Sequence, residues 1–394
     1  MTMQGTSWRI AGLVVLALLL GAVFIVIARH PGKYQWDLQT YYYGARAYQD
    51  GKNPYDRDVV SGIAETPVRF RYVYPPHTLP VMGMLTRLPL REASLLWLAL
   101  KGVLVCLLFW VWMRFLPGVA EPGYLLVAVL AFNGAVLSDL IAGNISLLEQ
   151  VLLWSGFLML RKNLTASALL IAAASFFKVT YAFFLVLPLI VPGNRRGRAF
   201  ALGLFFVLVP LAISGLVTPG LFQAFLDNAG VLADPLERGD NNPCLFAFLL
   251  TLGDVLHQVT GMVVPAGAII GLFVLHGMVL LVVVWRLVRA MPPSPDKVAA
   301  SVFLLTLLYP LLVPRFKDYA YILLVPAALS MLMRGGTGGR KGLVFILVVP
   351  TFTLFSAMLP LTEYYLFFAG YALFWWFAVG INGGRGAVPA PSQG

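Results

Sequence analysis

The chain has 394 residues, of which 60% are hydrophobic and 11% charged, with a mean hydropathy of +0.84. Soluble domains are about 25% charged, so this composition excludes a water-covered globule and indicates an all-α polytopic membrane protein. The net charge of +11 suits cytoplasmic loops and anionic headgroups, and with no basic–aromatic motif it indicates no nucleic-acid partner.

The apolar runs are continuous rather than alternating, which argues against a β-barrel. An apolar run at Trp8–Ala28 reads as an uncleaved first helix, since no small-x-small cleavage site follows it. Residues 29–91 form a long polar loop. Further spans are expected at Glu92–Met113, Gly123–Leu140 and Ile145–Leu160. Two short apolar segments, Leu164–Phe177 and Val179–Ile190, flank Lys178. Ala199–Val217 follows, then a second polar loop, 218–261, with a re-entrant or interfacial piece at Cys244–Leu256. Met262–Trp285, Val298–Val313, Tyr319–Met333, Leu343–Met358 and Tyr365–Val379 complete the spans. Residues 1–382 are expected to form one domain, and the Gly/Pro/Ser-rich 383–394 a disordered tail. No internal repeat is evident. Cys106 and Cys244 are too few and too far apart to imply a disulfide framework or a CxxC metal site.

With both ends cytoplasmic and about twelve crossings, each short inner loop carries Lys or Arg, as the positive-inside rule requires. This puts the first loop, the region Thr218–Pro243 and the turn Pro314–Asp318 on one outer face, with Lys178 at the same level. Ionisable groups gathered at one side of a membrane bundle mark a site.

The first loop opens at Asp37. Leu38, Tyr41, Tyr42, Ala45 and Tyr48 then recur at helical spacing, which reads as a short interfacial helix with its tyrosines at headgroup level. Gly51-Lys52-Asn53-Pro54 ends it. Asp37 is either the helix N-cap or a partly desolvated base. Arg69 and Arg71 are candidates for a phosphate or for headgroups. The Tyr74-Pro75-Pro76 stretch runs extended into a second short helix over Thr78–Leu88. His77 is a candidate acid, base or phosphate donor, or a structural histidine. Lys178 separates two apolar segments, where its charge calls for an anion or for snorkelling. Arg315 and Lys317 contact a phosphate or pair with Asp318. Glu149 is an intramembrane carboxylate, functional or hydrogen-bonded to a neighbouring helix. The scattered outer carboxylates give no metal-ligand spacing, and no cofactor is expected.

Several patches together resemble a known family. They are Asp37 after the first helix, then Tyr42 and Ala45, then Gly51 with Pro54-Tyr55-Asp56, then Phe70, Tyr72 and Pro75-Pro76. Gly143-Asn144, Lys178 and the Pro314–Tyr319 turn add to them. The set is similar to polyprenyl-phosphate-sugar-dependent glycosyltransferases of the GT-C superfold, family 87 above all, whose members include mannosyl- and arabinofuranosyl-type enzymes of bacterial envelopes. The resemblance implies a GT-C-like bundle in the inner membrane, acting on the outer face with inversion. It makes Asp37 the general base, and Lys178, Arg315, Lys317, Arg69 and Arg71 candidates for the donor phosphate. Tyr41, Tyr42, His77, Asn144, Glu149, Asn241 and Asn242 become candidate donor or acceptor contacts. The expected partners are a polyprenyl-phosphate sugar, a glycan or glycolipid acceptor and the bilayer. Two departures stand out. Asp240-Asn241-Asn242 replaces the family's Asn-x-Ser, and no His follows Pro314. The competing readings are a lipid-linked-sugar flippase or secondary transporter, and an envelope scaffold. The absence of a repeat disfavours a transporter.

Overall fold

In the computed structural model, residues 3–191, 195–228, 238–292, 295–335, 337–348 and 362–382 are described. Among them every regular element is helical. The tail 383–394 and most of Leu343–Met358 lie outside the described residues. Five helices are long and apolar enough to cross a membrane, as befits a multi-pass membrane protein. They are α1 (Met3–Arg29, apolar from Arg9), α5 (Leu90–Phe115), α6 (Pro122–Ala142), α10 (Arg196–Val217) and α13 (Ala266–Ala290).

The first compact unit comprises residues 1–115, 121–126 and 136–229. Its polar loop folds as α2 (Trp36–Gln49), α3 (Arg57–Ala64), a 3-10 turn at Pro76–Thr78, α4 (Leu79–Met82) and a second 3-10 turn at Leu85–Arg87. Asp56 caps α3 by accepting from Asp58 N and Val59 N. The tyrosines of this loop form no headgroup platform. Tyr41, Tyr55 and Tyr72 pack with Leu38, Ala45, Leu79, Trp97 and Ile145 as a buried cluster. Helical spacing correctly put them on one face, but the chain covers that face itself, with Pro76–Met82 and α5.

Behind the loop, α7 (Ser146–Met159), α8 (Leu164–Ser175) and α10 pack in sequence. Small residues let the backbones approach. A Cβ on Gly156 would lie 3.1 Å from Ile171, and one on Gly203 would lie 2.6 Å from Leu185. After α8 the chain turns at Lys178 into a 3-10 helix, Val179–Val186, and a short α9 (Leu187–Ile190). The break falls where expected. The polar stretch after α10 is partly helical, as α11 (Pro219–Asp227).

The expected span Gly123–Leu140 is not one continuous helix. Ala131–Gly134 leave helical geometry, with Phe132, Asn133 and Gly134 left-handed at φ 52°, 58° and 66°. Left-handed backbone costs an ordinary residue about 1–2 kcal/mol. Gly134 avoids that cost and Asn133 tolerates it, so the Asn-Gly pair is where the helix gives way.

The second unit comprises residues 116–120, 127–135 and 230–394. Its described helices are α12 (Leu245–Thr260), α13, α14 (Pro295–Leu312), α15 (Val325–Arg334), α16 (Thr337–Val348) and α17 (Tyr365–Asn382). A 3-10 helix at Asp318–Leu324 leads into α15, so the expected span Tyr319–Met333 is 3-10 at its start.

Candidate functional site

The first unit gathers its polar groups at the start of α2. Gln35 is the α2 cap residue, itself left-handed at φ 59°, so the cap position falls two residues before Asp37. Gln35 is tied down by its backbone N–H to Ile141 O at 2.7 Å and by its amide to Ser94 O at 3.3 Å. Asp37 therefore sits in the first turn, 5% exposed.

Opposite it, α6 ends in the left-handed Gly143 (φ 68°). A Cβ there would stand 2.8 Å from Gln35 Cβ, so only glycine allows the two backbones to meet. The next residue is Asn144. Its Nδ2 donates to Asp37 Oδ2 at 2.6 Å and to the Tyr41 hydroxyl at 2.8 Å. Its Oδ1 accepts from Ser146 N at 2.9 Å and from Ser146 Oγ at 2.8 Å. Because Oδ1 takes a backbone N–H, the amide has only one workable orientation, with its donor end toward Asp37.

Tyr74 joins this group, its hydroxyl 3.0 Å from that of Tyr41. Burial pushes the Tyr74 phenol well above its ordinary range, reinforced by the nearby carboxylates of Glu149 and Asp37. It stays a neutral hydrogen-bonding group between two carboxylates. Glu149, in the first turn of α7 and 1% exposed, lies beside the Tyr181 hydroxyl and has Lys178 as its electrostatic partner. The Lys178 ammonium lies 5.4 Å from the Tyr181 ring centroid.

Two further residues carry no role in the sequence reading. Lys101 in α5 and Asp139 in α6 form a fully buried ion pair, and Lys101 Nζ also donates to the Asn144 carbonyl. An unpaired lysine at the middle of a membrane helix costs about 2.5–3.5 kcal/mol even on the mildest scales. Its signal in the sequence was a lone Lys inside the apolar run Leu95–Val111.

Other candidates stand elsewhere. Tyr42 donates to Leu88 O at 2.9 Å. The Arg69 guanidinium stacks on Trp36, 4.5 Å from the ring centroid. Arg71 lines a polar cavity of about 500 Å³ with Asn53, Asp56, Asp58 and Asp227, whose lining does not include Asp37. Both ring nitrogens of His77 have partners, Phe176 O at 2.8 Å and Ser214 Oγ at 3.2 Å. Burial pushes its imidazole below the ordinary value of 6.5. That pattern is a neutral histidine tying the loop to the helices behind it.

In the second unit, Asn242 is structural as well. Its Oδ1 accepts from Phe316 N at 2.6 Å, Cys244 Sγ reaches Pro314 O at 3.1 Å and the Tyr321 hydroxyl donates to Pro243 O at 2.6 Å. These bonds hold the Pro314–Phe316 turn and Tyr321 against the Asn242–Cys244 stretch. Lys317 is 6% exposed and occupies the cap position of the 3-10 helix Asp318–Leu324, as Lys178 does for Val179–Val186. Among the described residues no three His, Cys, Asp or Glu side chains come together in a way that would hold a metal ion.

A family model described as glycosyltransferase family 87 matches residues 72–314, more than half of the chain. The chain belongs to glycosyltransferase family 87. No curated protein and no solved structure matches it. As a family 87 member the protein is a membrane glycosyltransferase. The matched stretch of this family 87 chain takes in His77, Lys101, Asp139, Asn144, Glu149 and Lys178. Asp37 lies ahead of it, and Arg315 and Lys317 lie just beyond.

Proposed function

We propose that this glycosyltransferase moves a monosaccharide from a polyprenyl-phosphate donor to a hydroxyl of an envelope glycan or glycolipid, with inversion and with Asp37 as general base. The sugar is of the mannosyl or arabinofuranosyl type. The bundle crosses a bacterial inner membrane about twelve times, with the site on its outer face, as the alternation of basic loops supports.

The observation that carries the reading is the contact of Asn144 with Asp37 Oδ2. It holds a nearly buried carboxylate beside the Tyr41 hydroxyl, while Lys178 is the electrostatic partner of Glu149 in the same unit. In the reaction, Asp37 takes the proton of the acceptor hydroxyl as that oxygen attacks the anomeric carbon. The bond from that carbon to the phosphate oxygen breaks, and the polyprenyl phosphate leaves with the electron pair. Lys178 stabilises the charge that develops on it. In-line attack inverts the anomeric centre. Cationic side chains suffice for the phosphate, and no metal step is required.

The test is transfer from synthetic polyprenyl-phosphate mannose and polyprenyl-phosphate arabinofuranose to envelope glycolipid acceptors, comparing purified wild type with Asp37→Asn. Wild type should transfer and the variant should not. Normal transfer by Asp37→Asn would overturn the base assignment. Solute transport without transfer to any acceptor would favour a carrier instead.

A further inference from the structure

We propose that Lys101 and Asp139 are positioning residues of the transfer site, acting on Asp37 through Asn144. This rests on the reading of Asp37 as the base.

Three features of the pair support it. First, its placement is internal to the membrane helices: Lys101 is 1% exposed and Asp139 is 0% exposed. Second, the bonds converge on one turn. Asp139 ends α6 with its backbone, its carbonyl accepting from Gly143 N at 3.0 Å and Asn144 N at 3.3 Å. Its carboxylate holds Lys101, and Lys101 donates to the Asn144 carbonyl. Trp97, one turn earlier on α5, donates to Gly143 O at 2.9 Å. The main chain on both sides of the Gly143–Asn144 peptide is thus gripped from α5. Third, the Asn144 side chain carries the position of that turn to Asp37, and the Ser146 bonds already set its orientation.

Stability alone does not call for such a pair. A buried ion pair replaced by well-packed apolar side chains often leaves stability unchanged or raised. An apolar pair would not give the Asn144 carbonyl a charged donor, and the turn would lose its fixed depth along α5. A base displaced by about 1 Å loses roughly a hundredfold in rate.

The experiment uses two variants that keep the interior charge-balanced. Lys101→Met with Asp139→Leu removes the pair. Lys101→Asp with Asp139→Lys keeps the charges but withdraws the donor from Asn144. Each is purified in detergent beside wild type and Asp37→Asn, and turned over with whichever of polyprenyl-phosphate mannose or arabinofuranose the wild type uses. The expected result is a melting temperature near that of wild type, a kcat lower by about 10- to 100-fold and a donor KM within about twofold of wild type. A structural role alone would lower the melting temperature or the yield and leave kcat per folded molecule intact. A folded variant of either kind with wild-type kcat overturns the proposal. If Asp37→Asn is inactive while the pair variants turn over normally, only the positioning role falls. If Asp37→Asn is active, the base reading falls with it.

Discussion

Asn144 donates its side-chain amide to Asp37 Oδ2 at 2.6 Å, from the residue that directly follows the left-handed Gly143. The donor comes from the end of a membrane helix and the acceptor from the first turn of a loop helix. One side chain therefore sets the base and the frame together. Asn144→Ala removes the bonds to Asp37 and Tyr41 and with them this constraint on the carboxylate. Transfer should fall by about 10- to 100-fold in kcat, the size expected for a misplaced catalytic group. Steady-state kinetics on the purified variant measure this, and a kcat within twofold of wild type would refute it.

Gly143 is the hinge of that frame. An alanine there meets two costs. The left-handed conformation costs about 1–2 kcal/mol, and the new methyl stands 2.8 Å from Gln35 Cβ, where overpacking adds about 1–3 kcal/mol. Gly143→Ala should lower the unfolding temperature in detergent clearly. Gly62→Ala, where a Cβ meets nothing within 4 Å, should be close to neutral and serves as the control.

His77 gives a pH signature. Its imidazole is neutral between Phe176 O and Ser214 Oγ, and burial holds its folded pKa below 6.5. The unfolded chain therefore binds a proton first as pH falls. Stability is fully present above about pH 6.5 and is lost as pH drops through that value toward the folded pKa. Unfolding midpoints of wild type should decline between about pH 7 and pH 5, and His77→Gln should flatten that decline. Because His77 holds structure, His77→Gln should keep transfer activity at neutral pH. A total loss of turnover in a folded variant would return His77 to the catalytic set.

Much of this site could be read from the chain, and the parts that could not share a physical cause. Gly143-Asn144 and Lys178 stand out because each interrupts apolar sequence, and the structure uses each at a break between elements; Asp37 stands out as the carboxylate that opens the polar loop after the first helix. Lys101 also interrupts apolar sequence, yet nothing in one sequence pairs it with Asp139 across two helices. The tyrosines of α2 show their shared face by spacing, but what covers a face is a tertiary fact. The same holds for Tyr42 and Tyr41, adjacent residues whose hydroxyls go to Leu88 O and to Asn144. The break in α6 had its signal in Asn133-Gly134, which a count of apolar residues overlooks. One local echo is visible once the elements are known. Phe177-Lys178 and Phe316-Lys317 each lead, with a one-residue difference in spacing, through Tyr-Ala into an apolar 3-10 run and a helix with an early Pro. Each unit thus carries one lysine at the same kind of turn.

Lys178 and Glu149 should affect donor binding in opposite directions. Glu149 lies beside the Tyr181 hydroxyl, and Lys178 is its electrostatic partner. A donor phosphate brings negative charge to the lysine and against the glutamate. A charge-assisted bond contributes about 1.5–3 kcal/mol, so Lys178→Met should raise the donor KM or lower kcat by at least tenfold. Glu149→Gln keeps an acceptor beside the Tyr181 hydroxyl and removes the repulsion, so the donor KM should fall severalfold with kcat little changed. Donor titrations at low and high salt measure both effects. The salt dependence should be modest, since Glu149 is buried and Lys178 half-buried, where screening is weaker than at the surface. If Lys178→Met binds and turns over donor as wild type does, the phosphate is held elsewhere, and Lys317, in the matching turn of the second unit, becomes the residue to substitute next.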